Sequence, residues 1–108
     1  MFYLALRKTA VPREQWTVSL ATHLAWMEQQ HRAGHILLSG PTTDRALSMY
    51  LIKTDSREEA ERIAAADPFT AAGLCTFDLI EWNIHQAFGI GDFTGGNRAA
   101  APQEAPAR

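Results

Sequence analysis

The chain has 108 residues, 46% of them hydrophobic, 20% charged and 9% aromatic, the composition of one ordinary globular domain and not of a disordered or membrane-embedded chain. Ten Lys and Arg against twelve Asp and Glu leave a formal charge of -2, too little positive field for non-specific binding to DNA, RNA or anionic lipid. A domain this small buries only roughly 60 to 65% of its unfolded surface, so its core is thin and a second copy of the chain would add useful burial.

Phe2 to Arg7 is an aromatic and aliphatic run that reads as a first strand. The same run has no basic lead and is too short for a signal segment or a membrane span, which makes a cytoplasmic location the expectation. From Pro12 to Ala33 the spacing is helical: Leu20, Leu24, Met27 and His31 recur at steps of four, three and four, with His23 beside that stripe. Gly34 ends this helix as a C-cap glycine does. His35 to Leu38 is a short second strand leading into Ser39-Gly40-Pro41, and Pro41 with Thr42, Thr43 and Asp44 makes a turn. Ser48 to Lys53 is the third strand and closes the hairpin. Ser56 and Glu59 have the spacing of a capping box, in which each side chain satisfies the other residue's backbone N–H, and they open a second helix that runs to Ala66. Asp67-Pro68 stops it, because proline disfavours the helical region for its predecessor. Phe69 to Gly73 reads as one further turn, and Leu74 to Trp82 as a fourth strand with Phe77 and Leu79 on one face and Ile80 and Trp82 on the other.

The order βαββαβ is that of a ferredoxin-like α+β fold, a four-stranded antiparallel sheet with both helices on one side. Phe2, Leu4 and Leu6 on one face of the first strand, with Met49 and Leu51 on the third, leave the second sheet face apolar as well. Two helices cover one face only, so the expectation is a homodimer with its sheets face to face. The alternative is a monomer whose C-terminal segment folds over that face. After Trp82 the text keeps apolar anchors without strand alternation, an arm from about residue 83 that completes a domain spanning 1–93. Residues 94–108 hold no large apolar side chain and read as a flexible tail.

No phosphate loop, dinucleotide fingerprint, serine nucleophile elbow or zinc helix is present. His23 lies mid-helix at the edge of the apolar stripe, where it is either a packed or solvated helical histidine or an imidazole that titrates near neutrality. Asp67 ends a helix, where a carboxylate opposes the dipole. It either begins the Pro68 turn or has a cationic partner, and antiparallel helices on one sheet face bring it toward His23. Ser39, Gly40 and Pro41 follow a strand directly, so a hydroxyl and free N–H groups are expected at a sheet end open to a ligand. Arg7, with Lys8, ends the first strand, where the two are either solvated strand-end charges or an anion-binding pair. His31 and His35 are four apart, but Gly34 interrupts the helix between them and no third ligand is near, so no metal is expected. Cys75, alone, makes neither a disulfide nor a cysteine metal site; it reads as a core residue of a protein from a reducing compartment.

Taken together, His23-Leu24, Ala33-Gly34 followed by Leu37-Leu38-Ser39-Gly40-Pro41, Asp55-Ser56, Asp67-Pro68-Phe69 and Ala72-Gly73-Leu74 resemble the YciI-like (YCII-related) proteins over residues 2 to 82. The resemblance implies a dimeric α+β barrel of ferredoxin-like subunits and a His and Asp pair in a cleft, carried here by His23 and Asp67. It also implies chemistry of the lyase or isomerase type, including halide elimination from chlorinated aromatic-ring products in one branch. The hairpin between Pro41 and Ser48 is shorter than in many relatives, and no family motif follows Trp82. The resulting expectation is a cofactor-independent enzyme acting on a small cyclic or enol-type molecule. His23 serves as acid/base, Asp67 as its orienter, and Arg7, Ser39, Gly40 and Pro41 as substrate contacts. The alternative is a non-catalytic ligand-binding or accessory dimeric module.

Overall fold

In the computed structural model, which describes residues 1–86, β1 (Phe2–Thr9) alternates as its sequence does: Tyr3, Ala5 and Arg7 are buried on one face, while Phe2, Leu4 and Leu6 are half-buried on the other. It is central in a four-stranded antiparallel sheet of order β2-β3-β1-β4, with β2 at Ile36–Pro41, β3 at Leu47–Lys53 and β4 at Cys75–Glu81. The register sets Arg7 opposite Ser48 on β3 and Phe77 on β4, so one sheet face carries Arg7, Tyr3, Ala5, Tyr50 and Ile52 in neighbouring rows. The core forms on that face. Ala60 and Ala64 of α3 (Arg57–Ala66) are a helical turn apart and fully buried against it, and their small side chains let the helix backbone come close to the sheet. Ser56 caps α3 by accepting from the Glu59 N–H at 3.1 Å.

The helix expected over Pro12 to Ala33 is divided. It comprises α1 (Arg13–Trp16), a 3-10 turn at Thr17–Ser19 and α2 (Leu20–Ala33). The break falls on two β-branched residues and a serine, and the Thr17 hydroxyl bonds back to the Glu14 carbonyl at 3.3 Å, a local contact that competes with helix geometry. The buried face of α2 is also rotated from the Leu20–Leu24 line: Leu24 is 56% exposed, whereas His23 is buried and Trp26 and Met27 pack on the core. Gly34 ends α2 at φ 82, the left-handed cap that glycine alone adopts without cost.

Ser39, Gly40 and Pro41 are strand residues and not turn residues: β2 continues through Pro41, which pairs with Ser48 and is tolerated because β2 is an edge strand. The turn is Thr42 to Ala46. It is held by the Asp44 carboxylate, which accepts from the Ala46 N–H and the Thr42 hydroxyl. Arg45 there has φ 65, the one non-glycine residue with positive φ among the described residues, a conformation that costs a side chain about 1–2 kcal/mol.

The opposite sheet face bears Leu4, Leu6, Leu38, Met49, Leu51 and Ile80; Leu38 and Ile80 are 40% and 47% exposed. No described helix is long and apolar enough to cross a membrane. Residues 82–86 continue without regular structure, so the rest of the expected arm, the boundary at 93 and the tail over 94–108 lie outside the described residues.

Candidate active site

Three elements far apart in the chain meet at one carboxylate. α3 ends where Asp67 leaves helical geometry at ψ 124, and α4 (Pro68–Ala71) starts at once with proline in its first turn. Asp67 Oδ1 accepts from the Phe69 N–H at 3.0 Å, so this acid caps α4 as well as ending α3. The same oxygen accepts from His23 Nδ1 of α2 at 2.9 Å, and Oδ2 accepts from Arg7 Nη1 of β1 at 2.9 Å. The two readings open in the sequence, turn residue or partner of a cation, are thus both true. Asp67 has no exposed surface. Burial pushes its carboxyl up, but hydrogen bonds from His23 and Arg7 and their charges outweigh that and hold it below the ordinary carboxylate value.

The ionised carboxylate only accepts, so Nδ1 of His23 carries a proton and in the neutral ring Nε2 is the acceptor. Arg7 Nη1 lies 3.3 Å from both ring nitrogens, of which only Nε2 can accept from it, and its Nη2 donates to Ser48 Oγ at 2.9 Å. Phe69 supports both groups: the imidazole stacks on its ring at 4.3 Å between centroids and 13° between planes, the Arg7 guanidinium lies 4.9 Å from its centroid, and Trp16 meets its edge at 5.6 Å. The Arg7 and His23 side chains each keep 9% of their surface exposed.

Above this cluster is a cleft of about 110 Å³ whose lining includes Arg7, Ser48, Phe69, Trp16, Arg13 and Arg45. Pro41 also lines it; Ser39 and Gly40 do not. Because β2 extends through them, Ser39 is turned to α2, where His31 Nδ1 donates to the Ile36 carbonyl and Ser39 Oγ donates to Nε2 at 2.8 Å. His31 therefore fastens the end of α2 to β2. Lys8 and His85 are exposed, and His35 contacts Gln30. Burial pushes the Cys75 thiol up, as expected of a core residue. Among the described residues no group of three His, Cys, Asp or Glu is placed to hold a metal ion. Ser48, Trp16, Arg13, Arg45 and Phe69 were not singled out as site residues. Ser48 was accessible through the pairing of the first and third strands, and Phe69 through the motif Asp67-Pro68-Phe69. Nothing local marks the others.

Tyr50 is buried beside the cluster with a hydroxyl that has no hydrogen-bond partner; burial and then the Asp67 charge push its phenol up. Since an orphaned buried hydroxyl costs about 1–3 kcal/mol, Tyr50→Phe is expected to leave urea stability unchanged or raise it by about 1 kcal/mol. A loss of that size would show that the hydroxyl is bonded.

Residues 1–83 match the YCII-related domain. The chain belongs to that family. The resemblance read from the motifs is confirmed, and so is the α+β fold. Among curated YCII-related relatives, the uncharacterised protein YjpA of Bacillus subtilis (strain 168) is 31% identical over 65 residues, which are 60% of this chain and 76% of YjpA. Among solved structures, the 5-chloro-2-hydroxyhydroquinone dehydrochlorinase TftG from Burkholderia phenoliruptrix AC1100, in complex with 2,5-dihydroxybenzoquinone, superposes with a TM-score of 0.64 at 28% identity. The match covers 77% of this chain and 94% of TftG.

Proposed function

We propose that this YCII-related protein is a cofactor-independent enzyme of the lyase or isomerase type, acting on a small cyclic or enol-type molecule bound over Arg7. The observation that carries the reading is the buried cluster Arg7–Asp67–His23 directly beneath a cleft of single-ring size. A cavity of about 150 Å³ takes benzene, and this cleft is of that order. The fold shared with TftG, whose name describes a dehydrochlorinase of a substituted hydroquinone, supports the same substrate class.

The chemistry follows from the proton positions. His23 Nε2 accepts a proton from substrate while Asp67 holds Nδ1–H and stabilises the resulting imidazolium. The negative charge that develops on a substrate oxygen is met by the Arg7 guanidinium, whose other arm is fixed on Ser48. Returning the proton to a second atom completes an isomerisation; expelling a leaving group completes an elimination. Neither outcome needs an oxidant. The test is a thermal-shift screen of small cyclic acids, phenols and hydroxyquinones, followed by turnover of the hits by wild type and His23→Ala. A compound consumed by wild type and not by the variant supports the reading; equal consumption by both overturns it.

A second reading has its own observation in its favour: Asp67 is fully buried and caps α4, and neither it nor His23 is among the residues lining the cleft. On that reading the pair holds the helices together in a ligand-binding module, and His23→Ala lowers stability while leaving ligand affinity unchanged.

The partner in either reading is a second copy of the chain, bound through the sheet face that carries Leu4, Leu38 and Ile80, in a reducing cytoplasmic setting that suits the lone buried Cys75. Light scattering is expected to give a dimer mass at micromolar concentration, and Ile80→Lys to shift it toward monomer. A monomer mass for the wild type at every accessible concentration overturns this.

A further inference from the structure

The cleft has more positive charge than the proposed reaction uses. Arg7 is neutralised by Asp67, but Arg13 and Arg45 also line the cleft, and among the described residues neither makes an ion pair. In a chain whose formal charge is -2, two unpaired guanidinium groups on one cleft of about 110 Å³ are a local reversal of sign. Both are exposed, yet both border the same cleft. Arg13 lies 5.3 Å over the Trp16 ring, which also lines the cleft, so its guanidinium is held at the wall. Arg45 occupies a left-handed backbone position, φ 65, where glycine or asparagine fits with less strain. A long charged side chain here runs against the local backbone preference, and an observed backbone outlier of this kind is a pointer to a site.

We propose that Arg13 and Arg45 form a carboxylate subsite, so that the ligand of the cleft is a monocyclic organic acid. Its ring lies against the Trp16 and Phe69 wall, its reacting oxygen at Arg7 and Ser48, and its carboxylate at the two arginines. Guanidinium suits this task because its planar fork matches a carboxylate with two parallel hydrogen bonds. The assignment rests on the reading that this cleft is the substrate site and adds the charge and class of the substrate.

The experiment is calorimetric titration of the full chain at low salt with 2,5-dihydroxybenzoate and with hydroquinone, the same ring with and without the acid. The acid is expected to bind roughly tenfold or more tightly, and this preference should shrink as salt is raised. Arg45→Asn keeps a residue that accepts the left-handed backbone, so its melting temperature should be equal to or above that of wild type while the preference for the acid falls. Combining it with Arg13→Gln should abolish the preference and leave hydroquinone binding unchanged. Equal affinity for the two probes in wild type, binding of neither at millimolar concentration, or a preference that survives in the double variant overturns the subsite. His23→Ala separates the two assignments. Turnover lost with the acid preference kept supports both. Turnover retained by His23→Ala overturns the enzyme reading and leaves the subsite standing, and a missing preference with turnover lost does the reverse.

Discussion

Asp67→Asn is expected to destabilise the protein by about 3–5 kcal/mol, the cost of leaving a buried charge without its partner. Asparagine caps a helix about as well as aspartate, so the Phe69 N–H and His23 Nδ1 keep the Oδ1 acceptor, and the loss falls on Arg7, which exchanges an anionic acceptor for an amide N–H. What remains is the Arg7 guanidinium, buried on the core side of β1, with the Ser48 hydroxyl, the His23 ring and the Phe69 face around it and no anion. Urea unfolding measures the loss, and adding Arg7→Met to Asp67→Asn should recover part of it, because replacing both members of a buried pair costs less than removing one. A change below about 1 kcal/mol in the single variant would show that the pair is solvated, as exposed pairs are. The acid limb carries the same information. The Asp67 carboxyl is held below its ordinary value in the folded protein, so its contribution is fully present above the unfolded value of about 3.9 and is lost as pH falls through the lower folded value. Wild type should therefore lose stability steeply below about pH 4, and Asp67→Asn should lose it less steeply over the same interval.

On a substrate found by the screen, His23→Ala is expected to lower turnover by roughly 10²- to 10⁴-fold, the usual contribution of a positioned acid/base. Asp67→Asn, assayed at a temperature where circular dichroism shows it folded, should lose a comparable amount. The double variant should lose little more than either single one, because an imidazole without its orienter and an orienter without its imidazole disable the same unit. Multiplicative losses would mean that the two residues act separately. Unchanged turnover in both would assign the pair to the scaffold.

The parts of the fold legible in the sequence are those governed by local backbone rules. Gly34 as a left-handed cap, Ser56 as an N-cap and Pro68 as a helix stop each follow from what one residue's geometry permits. Strand alternation separated Tyr3 and Ala5 from Leu4 and Leu6 because one face had to be buried, whereas the burial of Arg7, read as a strand-end charge, depends on Asp67. What stayed hidden depends on neighbours distant in the chain. Leu20 and Leu24 outrank His23 in hydrophobicity, yet α2 turns His23 inward because Asp67 and the Phe69 ring await it there. Pro41 read as turn punctuation, although an edge strand accepts it. Arg45 violates its local preference, and no rule based on adjacent residues predicts such a violation. His23 and Asp67 were legible as a pair through topology and the family motifs, whereas the rim of the cleft takes form only when α1, the hairpin turn and β3 are brought together.

The double duty of Asp67 limits the routes by which this site is gained or lost in descent. Serine and threonine satisfy the start of α4 and abandon Arg7 and His23; asparagine keeps an oxygen for Phe69 and His23 but turns an amide N–H toward Arg7; glutamate keeps the charge but carries it one methylene further from all three donors. No single replacement at position 67 meets both demands, so every one-step path away from aspartate passes through a less stable chain, whether or not selection still acts on the reaction. A lineage that no longer needs the chemistry would retain this carboxylate for the sake of its architecture, and its presence in a sequence is evidence of the fold before it is evidence of an activity.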